Sequence, residues 1–207
     1  MDFIDKAELL RILAQTSFRF REMRLSAGGS SDYYIDCRTT TLSGRGGRLA
    51  GTAILDLIRE MHLSPRAVGG MTLGADPVVS NVTAASAWQA TAAETLDGFL
   101  VRKEKKAHGA GRQIEGFCEP GAPVVIVDDA CTTGASLIAA IHAAQAAEMR
   151  IVGVICLVER EEAGGRSAVE EAALGSPFFS IFSAQEVRDA HLMFCANGSS
   201  GLNTKAR

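Results

Sequence analysis

One stretch, residues 124–136, constrains the fold of this chain more than any other, and it reads VVIVDDACTTGAS. Its first four residues are apolar and β-branched, which predicts a strand buried on both faces of a parallel sheet. Asp128 and Asp129 follow where that strand is expected to end, and residues 137–148 have helical spacing. The stretch therefore predicts a strand–loop–helix unit, with two carboxylates at the edge where open α/β sheets bind ligands.

The predicted loop, residues 132–136, has the composition of a phosphate-binding loop. Its glycine allows close approach, and its hydroxyls add donors to the backbone N–H groups at the start of the helix. The acid pair would repel a phosphate, so we expect it to face hydroxyl groups or a metal ion. A ribose 5-phosphate carries a phosphate close to a diol, so the two features together predict a site for this group. A short DD or TTG alone is equally compatible with a buried strand and an Asp helix cap.

The rest of the chain alternates between predicted strands and predicted helices. Strands are expected near residues 67–70, 98–101, 151–158 and 178–182. Helices are expected near residues 44–62, 78–92 and 167–173, and Trp88 is expected to pack inside the second of these. Strands that alternate with helices indicate an α/β fold with a doubly wound parallel sheet.

The predicted domain organisation is a single compact domain with small additions. Residues 1–43, with a short helix and two strands, are expected to form an N-terminal hood. Residues 44–195 would form the α/β core, and residues 196–207 a polar tail.

Composition excludes several classes of partner. The net charge is −3, from 21 basic and 24 acidic residues, so no global basic field favours nucleic acid. The five cysteines are scattered without a CxxC pair, which favours a reducing compartment. The first residues lack the pattern of a secretory signal, and no apolar run reaches the ~20 residues that cross a bilayer. We expect a cytoplasmic protein that binds small molecules, with no nucleic acid and no membrane partner.

A second constellation follows the strand predicted at residues 98–101. Residues 102–109 read RKEKKAHG, a basic density that the rest of the chain does not match. Taken alone, such a run is most often a solvated charged loop. Beside a phosphate-binding site, a mobile basic loop could close over a pyrophosphate and neutralise it.

These motifs resemble those of a known family. Residues 124–136 resemble the phosphoribosyl pyrophosphate (PRPP) motif of the type I phosphoribosyltransferases. Residues 102–109 resemble the catalytic loop of the orotate phosphoribosyltransferases, and three further stretches agree in order and spacing: LSAGGSSDYYIDCR at 25–38, GGMTLGADP at 69–77 and LVERE at 157–161. The resemblance implies the type I phosphoribosyltransferase fold. It also implies transfer of the phosphoribosyl group from PRPP to orotate, giving orotidine 5′-monophosphate and pyrophosphate in pyrimidine synthesis.

The resemblance also implies site residues. Catalysis is assigned to Lys106, Lys103, Arg102, His108 and Asp129. PRPP would be bound by those four basic residues together with Asp128, Asp129, Ala130, Cys131, Thr132, Thr133, Gly134, Ala135 and Ser136. Orotate would contact Thr132, Arg160, Tyr33, Tyr34 and Ser26.

A metal cofactor and a quaternary structure follow from the same resemblance. Mg²⁺ would bind mainly through substrate oxygens, with Asp128 and Asp129 as protein ligands. The basic loop would reach into the neighbouring subunit's site, which implies a homodimer with shared active sites.

Some positions depart from the family pattern. Ser26 and Gly29 stand where many members have basic residues, Gly74 where some have lysine, and Glu159 where aspartate is common. These departures leave a phosphoribosyltransferase for another nucleobase as an alternative. A non-catalytic PRPP-sensing regulator and an inactive homologue are further alternatives. Arg160 taken alone could equally be a surface salt-bridge partner of Glu161.

Overall fold

The computed structural model describes residues 3–24, 30–89, 95–104 and 113–200. Its helices are α1 (Phe3–Ile12), α2 (Arg38–Thr41), α3 (Gly44–Glu60), α4 (Ala75–Gln89), α5 (Ala135–Ala146), α6 (Gly165–Ala172) and α7 (Ala184–Ser200), with a π-helical turn at Leu13–Ser17 and a 3₁₀ turn at Glu161–Ala163. Its strands are β1 (Phe18–Arg24), β2 (Ser30–Ile35), β3 (Ala67–Met71), β4 (Asp97–Val101), β5 (Ile114–Gly116), β6 (Pro123–Cys131), β7 (Arg150–Glu159) and β8 (Phe178–Ser183).

The central sheet has the order β5-β4-β3-β6-β7-β8. Its strands are parallel except β5, which pairs antiparallel with β4. Successive strands move outward in opposite directions from the junction of β3 and β6. That junction is the topological switch point, where the carboxyl ends of the strands leave a crevice for ligands. The predicted doubly wound α/β sheet is therefore confirmed.

Helices cover both faces of this sheet because β6 is apolar on both sides. Val125 and Val127 join the cluster that contains side chains of α3 and α4. Val124 and Ile126 join the opposite cluster, which contains side chains of α5 and α6. Successive side chains of a strand point to opposite faces, so a continuous apolar run is what a strand between two helical layers requires.

The N-terminal segment packs into the first of these clusters. Its strands β1 and β2 form a two-stranded antiparallel sheet in which Phe18 pairs with Ile35. Leu9, Leu13 and Phe18 are fully buried and contribute to the same cluster as α3. The hairpin is thereby attached to the main core.

Three features differ from the sequence predictions. The short edge strand β5 and the helix α7 were not expected. Helix α7 continues to Ser200, so part of the predicted polar tail is helical, and residues 201–207 lie outside the described residues. Trp88 is 79% exposed at the end of α4, so the expectation that it packs inside was wrong. An Ala-rich helix buries its small residues against α3 and leaves the large ring outside.

Within the described residues, no helix is long and apolar enough to span a membrane.

Candidate active site

The acid pair lies at the switch point. Strand β6 pairs with β3 only as far as Ile126 but with β7 as far as Cys131. Asp128 and Asp129 are therefore still part of the strand, and the expectation that the strand ends before them was wrong. The reason is that β7 is long enough to continue the ladder through Glu159. On the β3 side the pairing stops earlier, which opens the crevice beside both carboxylates.

Burial dominates the electrostatics of this pair. Asp128 is only 4% exposed, and its Oδ1 accepts the backbone N–H of Asp129 at 2.9 Å. Loss of hydration raises the pKa of Asp128 well above its usual range, and the neighbouring charge of Asp129 adds to the effect. Burial also raises the pKa of Asp129, while the side-chain hydrogen bond with Asp128 and the charge of Arg38 oppose it. The pair thus favours ligands that bring donors or positive charge.

The turn between β3 and α4 closes the other side of the crevice. A Cβ atom placed on Gly74 would lie 2.7 Å from Asp129 Oδ1 and 2.8 Å from Asp128 Oδ1. Real Cβ atoms essentially never approach oxygen so closely, so a side chain here would displace the carboxylates. Gly74 therefore lets the turn between β3 and α4 pack directly against the acid pair without displacing it.

The phosphate-binding loop directly follows the acid pair and comprises residues 130–136, that is, the last two residues of β6 and the loop predicted at 132–136. Gly134 has φ of 79° and precedes α5, where the left-handed conformation favours glycine. Together with Asp128 and Leu137, the loop residues other than Cys131 line a cavity of about 220 Å³. The cavity lies at the start of α5, where backbone N–H groups have no partner within the helix, and such a helix end suits an anion.

Cys131 has a different environment from the rest of this loop. Its side chain is 1% exposed, and burial raises the pKa of its thiol to about 11. The thiol therefore stays protonated at neutral pH, and only the backbone of Cys131 is available to contribute to the loop.

A cluster around Arg160 lies beside the phosphate-binding loop. The backbone N–H of Arg160 donates to the Cys131 carbonyl at 2.8 Å. Its guanidinium lies 4.3 Å above the ring of Tyr33 and donates to Ser31 Oγ at 2.7 Å. The side chain is 7% exposed and pairs with Glu162, not Glu161. The alternative of a surface salt bridge with Glu161 was wrong.

The two tyrosines of β2 occupy different surroundings. Tyr33 donates its hydroxyl to Glu162, and burial raises its pKa to about 12, so it remains a donor at neutral pH. Tyr34 instead lies near Asp36. The side-chain hydrogen bond from Arg38 is the main cause that lowers the pKa of Asp36, and a hydrogen bond from Tyr34 adds to it. Adjacent strand residues point to opposite faces. Only Tyr33 therefore joins the Arg160 cluster, and Ser26 lies outside the described residues.

The basic loop is described only at its start. The backbone N–H of Arg102 donates to the Gln113 carbonyl, and its side chain pairs with Glu115 on β5 at 2.9 Å. Lys103 is exposed. Lys106 and His108 lie outside the described residues. The Arg102–Glu115 pair ties the first residue of the loop to the edge of the sheet.

Several residues in and around the site could not be found from sequence. Ser31 and Glu162 hold the Arg160 guanidinium, and Arg188 of α7 pairs with Asp32 and lies over Tyr33. Ser31 and Asp32 lie in the stretch 25–38, but nothing in that stretch predicts their partners, and Glu162 and Arg188 belong to no motif. Within the described residues, no group of three or more His, Cys, Asp or Glu could hold a metal ion. The acid pair is where a metal would find protein oxygens.

Comparison with known proteins assigns this arrangement to a class of proteins. Residues 98–171 match the family model of the phosphoribosyl transferase domain. The fold, the acid pair and the phosphate-binding loop define a protein of that class.

Two curated relatives narrow the class to one family. The orotate phosphoribosyltransferase of Rhodopirellula baltica is 37% identical, covering 82% of this chain and 88% of that protein. The enzyme of the same name from Aquifex aeolicus is 35% identical, covering 90% of this chain and all of that protein. The chain therefore belongs to the orotate phosphoribosyltransferase family. The crystal structure of the Mycobacterium tuberculosis enzyme in complex with PRPP has a TM-score of 0.70 at 30% identity, covering 90% and 93% of the two chains.

Proposed function

We propose that this protein transfers the 5-phosphoribosyl group of PRPP to orotate, giving orotidine 5′-monophosphate and pyrophosphate in pyrimidine nucleotide synthesis. One observation carries the proposal. An acid pair with Asp128 buried, a phosphate-binding loop and a buried arginine follow one another around the switch point. Curated relatives with this activity in their names, and a solved relative that holds PRPP, support it.

The acid pair would bind the ribose hydroxyls of PRPP. Its carboxylates are strong acceptors, and a hydroxyl donor compensates part of the hydration that burial removes. The phosphate-binding loop would take the 5-phosphate through its backbone N–H groups and the hydroxyls of Thr132, Thr133 and Ser136. These two sets adjoin in sequence and in space, as the two ends of one ribose 5-phosphate demand.

Orotate would lie on the side of Arg160. A guanidinium is suited to a carboxylate because its N–H groups match the two oxygens. Stacking on Tyr33 and the bond to Ser31 fix its orientation before substrate arrives. This preorganisation supports orotate, which carries a carboxylate, over the neutral bases of the alternative reading.

Mg²⁺ fits the donor set at the acid pair. Mg²⁺ favours oxygen ligands and usually takes one or two carboxylates, with water and substrate phosphates supplying the rest. Asp128 and Asp129 offer such carboxylates at the switch point, and Asp128 also lines the cavity beside the phosphate-binding loop. When bound, the ion would neutralise negative charge on the pyrophosphate leaving group.

The basic loop would act on the same leaving group. Positive charge develops on the ribose ring as pyrophosphate departs, and donors aimed at the departing oxygens lower the barrier. Lys103, Lys106, Arg102 and His108 would supply these donors in a site closed to water. Loss of one such donor typically costs ~2.7–4 kcal/mol, or a rate loss of about a hundredfold to a thousandfold.

We further propose a homodimer in which the basic loop enters the partner's site. Leu73, directly before Gly74, is 70% exposed at the edge of the crevice, and Leu42 is 73% exposed. Large apolar side chains at such positions support a covering subunit. The five cysteines, of which Cys37, Cys131 and Cys156 are buried, support a reducing cytoplasm as the compartment.

The test of the reaction is a panel of bases. Pyrophosphate release is measured from PRPP and Mg²⁺ with orotate, uracil, adenine or hypoxanthine. We expect pyrophosphate release with orotate and not with the other three bases. Release with a purine but not with orotate would replace this proposal by the reaction of another phosphoribosyltransferase.

The test of the shared site is complementation. A Lys106→Ala variant and an Asp129→Asn variant, each inactive, are unfolded, mixed and refolded. If the loop acts in the partner's site, random mixed dimers carry one intact site each and restore about a quarter of wild-type activity. No recovery in mixed dimers verified by mass would contradict the shared site.

A further inference from the structure

The first residue of α6 lies directly against the phosphate-binding loop. A Cβ atom placed on Gly165 would lie 2.7 Å from the Thr133 carbonyl carbon and 2.9 Å from the Gly134 nitrogen, and closer still to the Thr132 carbonyl oxygen. All three are backbone atoms, which cannot escape by changing a rotamer. Only glycine at position 165 allows α6 to approach the loop this closely.

The contact is equally tight from the other side. A Cβ atom on Gly134 would lie 2.5 Å from Val169 Cγ2 and 3.2 Å from the Gly165 carbonyl oxygen. Val169 is fully buried in α6. Loop and helix therefore meet closely, with backbone against backbone at Gly165 and the Val169 side chain against Gly134.

An ion pair between the buried Glu159 and the partly exposed Arg166 holds α6 in this position. Glu159 is 3% exposed and accepts from both Arg166 Nε, at 3.0 Å, and Arg166 Nη2. Ser180 adds a third bond to Glu159 at 3.0 Å, and Arg166 Nη1 donates to the Phe178 carbonyl at 2.9 Å. Position 166 is thus fixed to the ends of β7 and β8, one residue after the close contact.

We propose that Gly165 is a positioning residue for phosphate binding, and that the Glu159–Arg166 pair holds it against the loop. The start of α6 sets the path of the backbone at residues 132–134, whose N–H groups receive the 5-phosphate. This inference rests on the proposed function for the identity of the ligand. It assigns a role to a helix outside the motif.

The size of the effect follows from the contacts. Ordinary van der Waals separation begins near 3.4 Å, so a Cβ at 2.7 Å from Thr133 requires a shift of about 0.7 Å. A misplacement of about 1 Å can cost about a hundredfold in a preorganised site. We expect Gly165→Ala to weaken ribose 5-phosphate binding about tenfold or more. The KM for PRPP should rise in parallel, with a smaller change in the KM for orotate.

Gly164→Ala is the matched control. Gly164 has φ of 69°, so alanine there strains the same turn, but a Cβ would meet nothing within 4 Å. This variant should melt at a lower temperature yet bind ribose 5-phosphate as the wild type does. Equal loss of binding in both variants would overturn the inference, because general weakening of α6 would then explain it.

The experiment measures ribose 5-phosphate binding by calorimetry, with thermal melting as the check of folding. Arg166→Gln serves as a second variant because it loosens α6 without adding atoms at the loop. We expect it to weaken binding in the same direction, by less than Gly165→Ala. Wild-type affinity in folded Gly165→Ala or Arg166→Gln protein would overturn the inference. Binding by the wild type without any consumption of orotate would refute the proposed reaction alone.

Discussion

Replacing Arg160 by leucine removes the charged group that we assign to the orotate carboxylate. Leucine keeps much of the apolar volume against Tyr33 but loses the guanidinium. The backbone bond from residue 160 to the Cys131 carbonyl is retained, so the phosphate-binding loop should keep its position. The prediction is therefore specific for one substrate. The KM for orotate should rise while the KM for PRPP stays nearly unchanged.

The magnitude follows from the surroundings of Arg160. A hydrogen bond to a charged group contributes about 1.5–3 kcal/mol when its partner is buried. The guanidinium is 7% exposed and held by Ser31 at 2.7 Å and Tyr33 at 4.3 Å, so its orientation needs little further ordering. Loss of one such bond to the substrate corresponds to a rise in the orotate KM of about tenfold to 150-fold.

Arg188→Leu is the matched control for this assay. Arg188 also lies over the Tyr33 ring, at 5.7 Å, but its guanidinium is paired with Asp32 at the surface. Exposed pairs contribute about 0–1 kcal/mol, so the orotate KM should change by less than about fivefold. Steady-state kinetics with each substrate varied separately decide the matter. An orotate KM within twofold of wild type in Arg160→Leu, or an equal rise in both variants, would refute the reasoning.

Three further predictions concern the crevice and the thiols. Burial raises the pKa of Asp128 in the folded state, so its contribution to stability falls as pH rises above about 4, the ordinary range of aspartate. Asp128→Asn should therefore abolish activity yet raise the free energy of unfolding at pH 7 by about 0.5–2 kcal/mol, with the gain shrinking toward pH 4; a loss of stability in denaturant titrations would contradict this. Gly74→Ala should lower kcat/KM about a hundredfold by displacing the carboxylates, and wild-type kinetics would refute the close approach. A thiol reagent should modify two cysteines of the native protein rapidly, Cys118 and Cys195, and all five only after unfolding; rapid reaction of a third thiol would contradict the burial of the others.

The sequence predicted those parts of the fold in which one physical signal is strong and local. The apolar run of β6 and the glycine before α5 identify strand, loop and helix from neighbouring residues alone. Helix α7 lacked such a signal because Leu192, Met193 and Phe194 are consecutive and at least 47% exposed, so they form no helical stripe. The length of β6 depended on its pairing with β7, which no local pattern contains.

The residues of the candidate site also divide into those that a local sequence pattern predicts and those that it does not. Asp128, Asp129 and the phosphate-binding loop were found because adjacent residues supply them. Ser31 and Glu162 meet at Arg160 although 131 positions separate them in the sequence, and only the tertiary fold brings them together. Gly165 shows the same limit, since its role lies in the space that it leaves for another backbone.

The central claim is tested most directly by the loss of orotate absorbance when the protein is mixed with orotate, PRPP and Mg²⁺, beside a Lys106→Ala variant. We predict consumption that requires all three components, releases one pyrophosphate per orotate, and falls about a hundredfold or more in the variant. No consumption by a wild-type protein that binds PRPP would contradict the assignment of orotate as the substrate.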